Sequence, residues 1–184
     1  QNGAPFSDGN INFAMQGYTE LLNINGDGIM TYIDIPKLGI YLPVGHGTEA
    51  ETLEYQIGHV IGTSLPVGGE STHAVLSGHS GLATEKMFSD LDQLVEGDLF
   101  LVHVLNETLV YVVAQINVVL PGDTSLLPVV EGKDFMTLIT CTPFGVNSHR
   151  LLVRGERTEY VPQEDSAESP EQTTTPAAVS TWTS

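Results

Sequence analysis

The chain has a single cysteine, Cys141, and its neighbours suggest what the thiol could do. Phe135-Met-Thr-Leu-Ile-Thr-Cys141 reads as a buried strand that ends in the thiol. Thr142-Pro143-Phe144-Gly145 must turn the chain, and His149-Arg150-Leu-Leu-Val-Arg154-Gly155 reads as the returning strand. Alternation puts Arg150, Leu152 and Arg154 on one face and His149, Leu151 and Val153 on the other. A hairpin of this length brings Arg150 back to Cys141. Three of the chain's six cations lie between Arg150 and Arg157. A guanidinium beside a thiol favours the thiolate, which is the nucleophilic form. The competing reading is a buried structural cysteine, since free Cys is among the most buried residue types.

Acyl chemistry at a thiol also needs a base. The histidines are at positions 46, 59, 73, 79, 103 and 149. His79 is the best placed, because it follows the strand His73-Ala-Val-Leu-Ser77 in the small-residue run Ser77-Gly78-His79-Ser80-Gly81. Such neighbours leave an imidazole uncovered and let backbone approach a ligand. His103 alternates with apolar residues in a strand, His149 faces away from Arg150, and His46 and His59 fall in Gly-flanked turns. No two histidines share a metal-ligand spacing on one element, and a lone cysteine excludes both a disulfide and a Cys-rich zinc site. No metal and no cofactor is expected. Asn23-Ile-Asn25-Gly-Asp27-Gly28 through Asp34 approximates a calcium loop, but it has Asn at the first position and Asp at the twelfth. Ile29 to Ile35 is better explained as a strand.

The elements that must hold these groups are mostly strands. Ile29–Ile35, Leu38–Val44, Thr72–Ser77, Asp98–Leu105, Thr108–Leu120, Phe135–Cys141 and His149–Glu156 are strand candidates, with a hairpin turn at Asn106-Glu107. Seven or so short strands with few helices predict a closed or nearly closed β-barrel. Thr48-Glu-Ala-Glu51 has the form of a capping box, with Leu53, Tyr55 and Ile57 following it. Thr84 is placed to cap a second helix carrying Met87, Phe88 and Leu91, and Asn12 to Asn23 predicts a third. The domain organisation read from this is an N-terminal helical segment over 1–27, a barrel over 28–160 and a tail over 161–184. Of the 24 tail residues, 12 are Ser, Thr or Pro, four are acidic and none is basic, a composition expected to be disordered.

The 184 residues carry 23 acidic and 6 basic side chains, a formal charge of −17. That balance excludes a nucleic-acid surface and disfavours docking on anionic lipid. No run of 18 apolar residues is present to span a bilayer. Because the sequence begins at Gln1 rather than Met, it is expected to be a fragment from which a signal peptide or anchor has been removed.

Thr137-Leu-Ile-Thr-Cys141-Thr-Pro-Phe-Gly-Val-Asn-Ser-His-Arg150-Leu-Leu-Val-Arg-Gly155 closely resembles the signature of class C sortases, the pilus-assembly transpeptidases of Gram-positive bacteria. Gly58 to His73, Leu76-Ser-Gly-His79-Ser-Gly-Leu82 and Ile33-Asp-Ile-Pro-Lys-Leu-Gly39 agree with it, so the resemblance covers roughly Tyr32 to Arg157. It implies a mainly β fold, a sortase-type closed barrel of about eight strands with short peripheral helices. It implies that Cys141 attacks the Thr–Gly bond of an LPxTG-like sorting signal and that His79 moves the proton. It also implies that Arg150 holds the substrate and stabilises its developing oxyanion. A pilin lysine is implied as the amine that then resolves the thioacyl-enzyme. The partners implied are LPxTG-bearing pilins, and the protein is read as a monomer that is membrane-anchored, when complete, at the outer face of the cell membrane.

The family often carries an N-terminal lid with an Asp-Pro-aromatic motif. Here Pro5 and Phe6 match and Ala4 stands at the aspartate position. Phe6 is expected to dock near Cys141, with a disordered terminus as the alternative. Two other functions compete: a cell-wall-anchoring sortase that uses a peptidoglycan amine, and a non-catalytic surface β-barrel.

Overall fold

β-Branched residues between Gly28 and Pro36 form strand β1 (Ile29–Ile35), and its Ile33 and Ile35 are fully buried. The computed structural model describes residues 17–80 and 87–159. β2 (Ile40–His46) runs antiparallel to β1. A 3₁₀ turn, Pro36–Leu38, joins them and ends at Gly39 with φ 63°, so β2 begins two residues later than Leu38, where the sequence suggests. Helix α1 (Ala50–Tyr55) follows, then β3 (Ile57–His59), β4 (Thr72–Ser77), β5 (Leu99–Val104), β6 (Glu107–Val119), β7 (Asp134–Thr142) and β8 (His149–Thr158). The strands close into an eight-stranded barrel in the order β1-β2-β3-β4-β7-β8-β6-β5. Pairing is antiparallel except for β2 with β3 and β4 with β7.

Alternation along each strand sorts the apolar residues. Val44, Leu76, Phe100, Val102, Tyr111, Met136, Leu138 and Val153 fill the barrel, together with Met87, Phe88 and Leu91 from the β4–β5 connection. Full burial of each such side chain contributes about 1.5–3 kcal/mol, so the interior holds most of the stability. A second, smaller cluster of Val60, Val75, Ile139 and Leu152 covers the outer face of β4, β7 and β8. Leu126 and Leu127, from the segment 120–133, pack onto it.

Gly155 sits where an added Cβ would lie 2.6 Å from the Phe100 ring, so its bare backbone admits the stacked Phe100–Tyr111 pair. Just beyond, β6 is irregular. Val113 pairs with Gly155 but Gln115 pairs with Arg154, which leaves Ala114 as an extra residue. Before this bulge Leu109, Tyr111 and Val113 point inward; after it Ile116 does, and Gln115, Asn117 and Val119 turn to the outer face.

Four local expectations are corrected. β3 was not expected; it has only three residues, one of them Gly58, whose added Cβ would meet the Gly47 carbonyl oxygen at 2.2 Å. The N-cap of α1 is Glu49 rather than Thr48, because the first helical bond runs from Leu53 N to Glu49 O, and Ile57 belongs to β3. The β5–β6 turn is Leu105-Asn106, one residue earlier than expected, with Leu105 at φ 55°. Of the third helix, the described part holds only a 3₁₀ turn, Tyr18–Glu20. Thr84 lies outside the described residues; beyond it Met87, Phe88 and Leu91 are buried, with a 3₁₀ turn at Leu91–Gln93.

Candidate active site

Met136 and Leu138 anchor β7 inside the barrel, while Thr137, Ile139 and Cys141 take the outer face by alternation. Cys141 is half-buried at the open end of the strand. Beyond it Pro143 has no N–H for the ladder, and the exposed loop 143–148 is closed by bonds from Val146 N and Asn147 N to Pro143 O, 3.0 and 2.9 Å. β8 returns with Arg150 paired directly to Cys141 and Leu152 to Ile139. Paired residues share a face, with Cβ atoms about 4.5–5.5 Å apart. The Arg150 guanidinium is tethered by Nη1, which donates to the carbonyls of Asn147 (3.2 Å) and His149 (3.0 Å).

β4 flanks the other side of β7. The parallel register reaches Ser77 opposite Ile139. Past the strand end the alignment is kept by three hydrogen bonds. Gly78 N donates to Ile139 O (3.0 Å), the Thr140 hydroxyl to Gly78 O (2.9 Å) and the Ser80 hydroxyl to Cys141 O (2.8 Å). Continued by two residues, this register sets His79 alongside Cys141 on the neighbouring chain, and strands lie about 4.8 Å apart. Gly78 makes the passage possible: a Cβ there would lie 2.6 Å from Ile57 and 2.8 Å from Phe88. The three expected site residues, all half-buried, thus converge on three adjacent segments in the order His79, Cys141, Arg150. Sequence reasoning missed the tethers Ser80 and Thr140, although Ser80 sits within the quoted Ser77-to-Gly81 run.

The remaining histidines are occupied elsewhere. His103 lies 3.7 Å from Asp34 and 3.0 Å from the Thr108 hydroxyl. His149 meets the Ser148 hydroxyl at 2.8 Å. His46 and His59 are on β2 and β3 rather than in turns. His59 is buried between the Tyr18 hydroxyl (2.6 Å) and Ser64 O (2.8 Å), and burial pushes the Tyr18 phenol up to about 12. His73 is buried between Pro128 O (3.1 Å) and the Thr137 hydroxyl (2.7 Å). Since a carbonyl only accepts, Nδ1 of His73 donates to Pro128 and Nε2 accepts from Thr137.

Burial, the largest cause, pushes both His59 and His73 below the ordinary histidine value of 6.5. A depressed histidine keeps its full stabilising effect above pH 6.5 and loses it as the unfolded chain takes up protons below that value. Thermal unfolding monitored from pH 7.5 to 5 is therefore expected to show a midpoint that falls on acidification, by about 2–4 °C for each kcal/mol lost. Replacing either histidine by glutamine should flatten the fall.

Among the described residues no group of three or more His, Cys, Asp or Glu is arranged for a metal. In the calcium-like loop the Asn23 side-chain oxygen accepts from Gly28 N (2.9 Å) and the Asp27 carboxylate from Ile29 N (3.0 Å), and Asp34 lies within β1. No described helix is long and apolar enough to cross a membrane. Pro5 and Phe6, the expected lid residues, lie outside the described residues, as does the expected tail.

The sortase domain family matches residues 33–158. Sortase D of Bacillus subtilis is 30% identical over 128 residues, which cover 68% of this chain and 62% of that protein. The chain thus spans about three-fifths of that curated relative. The crystal structure of sortase C-1 from Actinomyces oris superposes with a TM-score of 0.78 at 51% identity, covering 82% of this chain and 84% of that one. A pilus-related sortase C of Group B Streptococcus gives 0.71 at 48% identity, covering 73% and 69%.

Proposed function

This chain belongs to the sortase family, and from that premise we propose that it is a pilus-assembling cysteine transpeptidase of the class C kind. The Cys141 thiolate attacks the Thr carbonyl carbon of an LPxTG-like sorting signal. The oxygen takes up negative charge beside the Arg150 guanidinium. His79 gives a proton to the glycine nitrogen as the C–N bond breaks, leaving a thioester on Cys141. A pilin lysine amine then attacks the thioester, gives a proton to His79, and expels the thiolate as the isopeptide bond forms. The site acts at the outer face of a Gram-positive cell membrane.

The observation that carries this reading is the alignment of His79, two residues past β4, with Cys141 on β7 and Arg150 on β8. The acidic surface supports it, since a lysine-bearing acceptor is drawn to net negative charge. The test offers the full chain an LPxTG peptide with two acceptors in parallel, a pilin lysine and a glycine-type amine of the kind found in peptidoglycan. An isopeptide product with the lysine is expected. Transfer to the glycine amine alone would make the protein a cell-wall-anchoring enzyme. An uncleaved peptide with an unreactive Cys141 would leave only a surface barrel.

A further inference from the structure

His46 on β2 meets two backbone carbonyls of the segment that precedes β1. Its Nε2 lies 2.7 Å from Leu21 O and its Nδ1 3.2 Å from Gly28 O. A carbonyl only accepts, so both ring nitrogens must donate to satisfy both contacts. Only the imidazolium carries two N–H groups. In the neutral ring one nitrogen turns a lone pair toward a carbonyl oxygen, and that contact becomes repulsive.

The neighbouring ring has the opposite arrangement. His59 on β3 is paired with His46 in the parallel register of β2 and β3. On its Nε2 side is Ser64 O (2.8 Å), and on its Nδ1 side the Tyr18 hydroxyl (2.6 Å), which can donate. One N–H and one lone pair satisfy it, so His59 stays neutral. Burial opposes a proton on His59 first of all, and a charge on His46 opposes it too. Tyr18 touches both rings, with centroids 5.1 Å from His46 and 5.8 Å from His59, and its phenol, pushed up to about 12, is neutral. The other titratable groups on the elements around His46 are Glu20 and Asp27 on the preceding segment, Asp34 at the far end of β1, Tyr41 on β2, and Glu49, Glu51, Glu54 and Tyr55 on or beside α1. The Thr52 hydroxyl of that helix holds the His46 carbonyl at 3.2 Å. None of these groups is a cation, so the surroundings favour a positive ring.

We propose that His46 is a proton-operated clasp. Charged, it fastens the segment 17–28 to β2 through Leu21 O and Gly28 O; neutral, it releases one of them. The segment is otherwise held by Tyr18 and by Leu22, which packs against the core, and it is folded on itself by Asn23, whose side-chain oxygen accepts from Gly28 N (2.9 Å). Residues 1–16, with Pro5 and Phe6 among them, join the barrel through it, so the clasp sets how firmly their root is anchored. The inference stands on this hydrogen-bond arrangement and goes beyond the transpeptidase reading, whose residues it does not use.

Hydrogen exchange on the full chain tests it, read at the amides of Leu21, Asn23, Gly26 and Gly28 and corrected for the intrinsic pH dependence. These amides are hydrogen-bonded within the segment. Their protection is expected to rise by about three- to tenfold from pH 7.5 to 5.5, the scale of one charge-assisted hydrogen bond at a half-buried site. Global unfolding is expected to move the other way over the same range, through His59 and His73, so the two events are separable. Nitrogen-15 spectra of the imidazoles should give the His46 ring and the exchange step one shared midpoint. His46→Gln, which donates but does not titrate, should make the protection flat. Protection that ignores pH in the natural chain, that changes at a midpoint other than that of the His46 ring, or that keeps its rise in His46→Gln would overturn the clasp. The two natural-chain results decide even if His46→Gln fails to fold. Peptide cleavage does not enter these readouts, so the transpeptidase reading stands or falls separately.

Discussion

Cys141→Ala is expected to abolish both cleavage of an LPxTG peptide and transfer to an amine, a loss of about 10⁴-fold or more. No other thiol is present to take over the acyl group. The fold should be unaffected. Cys141 is only half-buried, its carbonyl rather than its sulfur receives the Ser80 hydrogen bond, and its strand is anchored by Met136 and Leu138. A stability change within about 1 kcal/mol fits a partly exposed position away from the core. Initial rates with a quenched fluorescent peptide, alongside thermal unfolding, check both halves. Residual turnover near the natural rate in a folded variant would remove Cys141 from the chemistry.

The second large effect is expected at Arg150. Arg150→Ala should lower kcat/KM by about 10²–10³-fold, the usual cost of losing one donor at a developing oxyanion. Arg150→Lys should recover little, because an ammonium cannot both hold the loop carbonyls and present a planar fork of donors. The alanine variant also releases the Asn147 and His149 carbonyls, which Arg150 Nη1 now binds. These carbonyls lie in or beside an exposed loop, so water replaces the lost donor at small cost. Burst kinetics separate thioester formation from its resolution. If thioester formation kept its natural rate in Arg150→Ala, the proposed role at the first step would fail.

The line from residues to this site was short where side-chain pattern and backbone agree. The alternation of Arg150, Leu152 and Arg154 against Leu151 and Val153 is what puts a guanidinium opposite Cys141, and the structure pairs them so. The small residues around His79 mark the end of β4, and the structure ends that strand at Ser77. What was not readable depends on contacts distant in sequence. β3 is three residues long and exists because Gly45 and Gly58 let two chain segments pass closely, which no local pattern announces. The α1 cap moved by one residue because the chain is still leaving β2, where the Thr52 hydroxyl holds His46 O. The partners of His73 and Arg154 come from segments 39 to 64 residues away, so the burial of a histidine and the contacts of an arginine appear only in three dimensions.

The extra residue at Ala114 carries a consequence for how this chain tolerates change. A β-strand has two sides, and adding or deleting one residue exchanges them for everything downstream. Excising Ala114 is the exception: Val113 and Gln115 already face consecutive residues of β8, so its loss would leave a regular ladder with Gln115 and Asn117 still outside and Ile116 still inside. The extra residue thus makes this stretch the one place in the strand where a single-codon deletion can be absorbed, whereas an insertion beyond it would exchange the two sides.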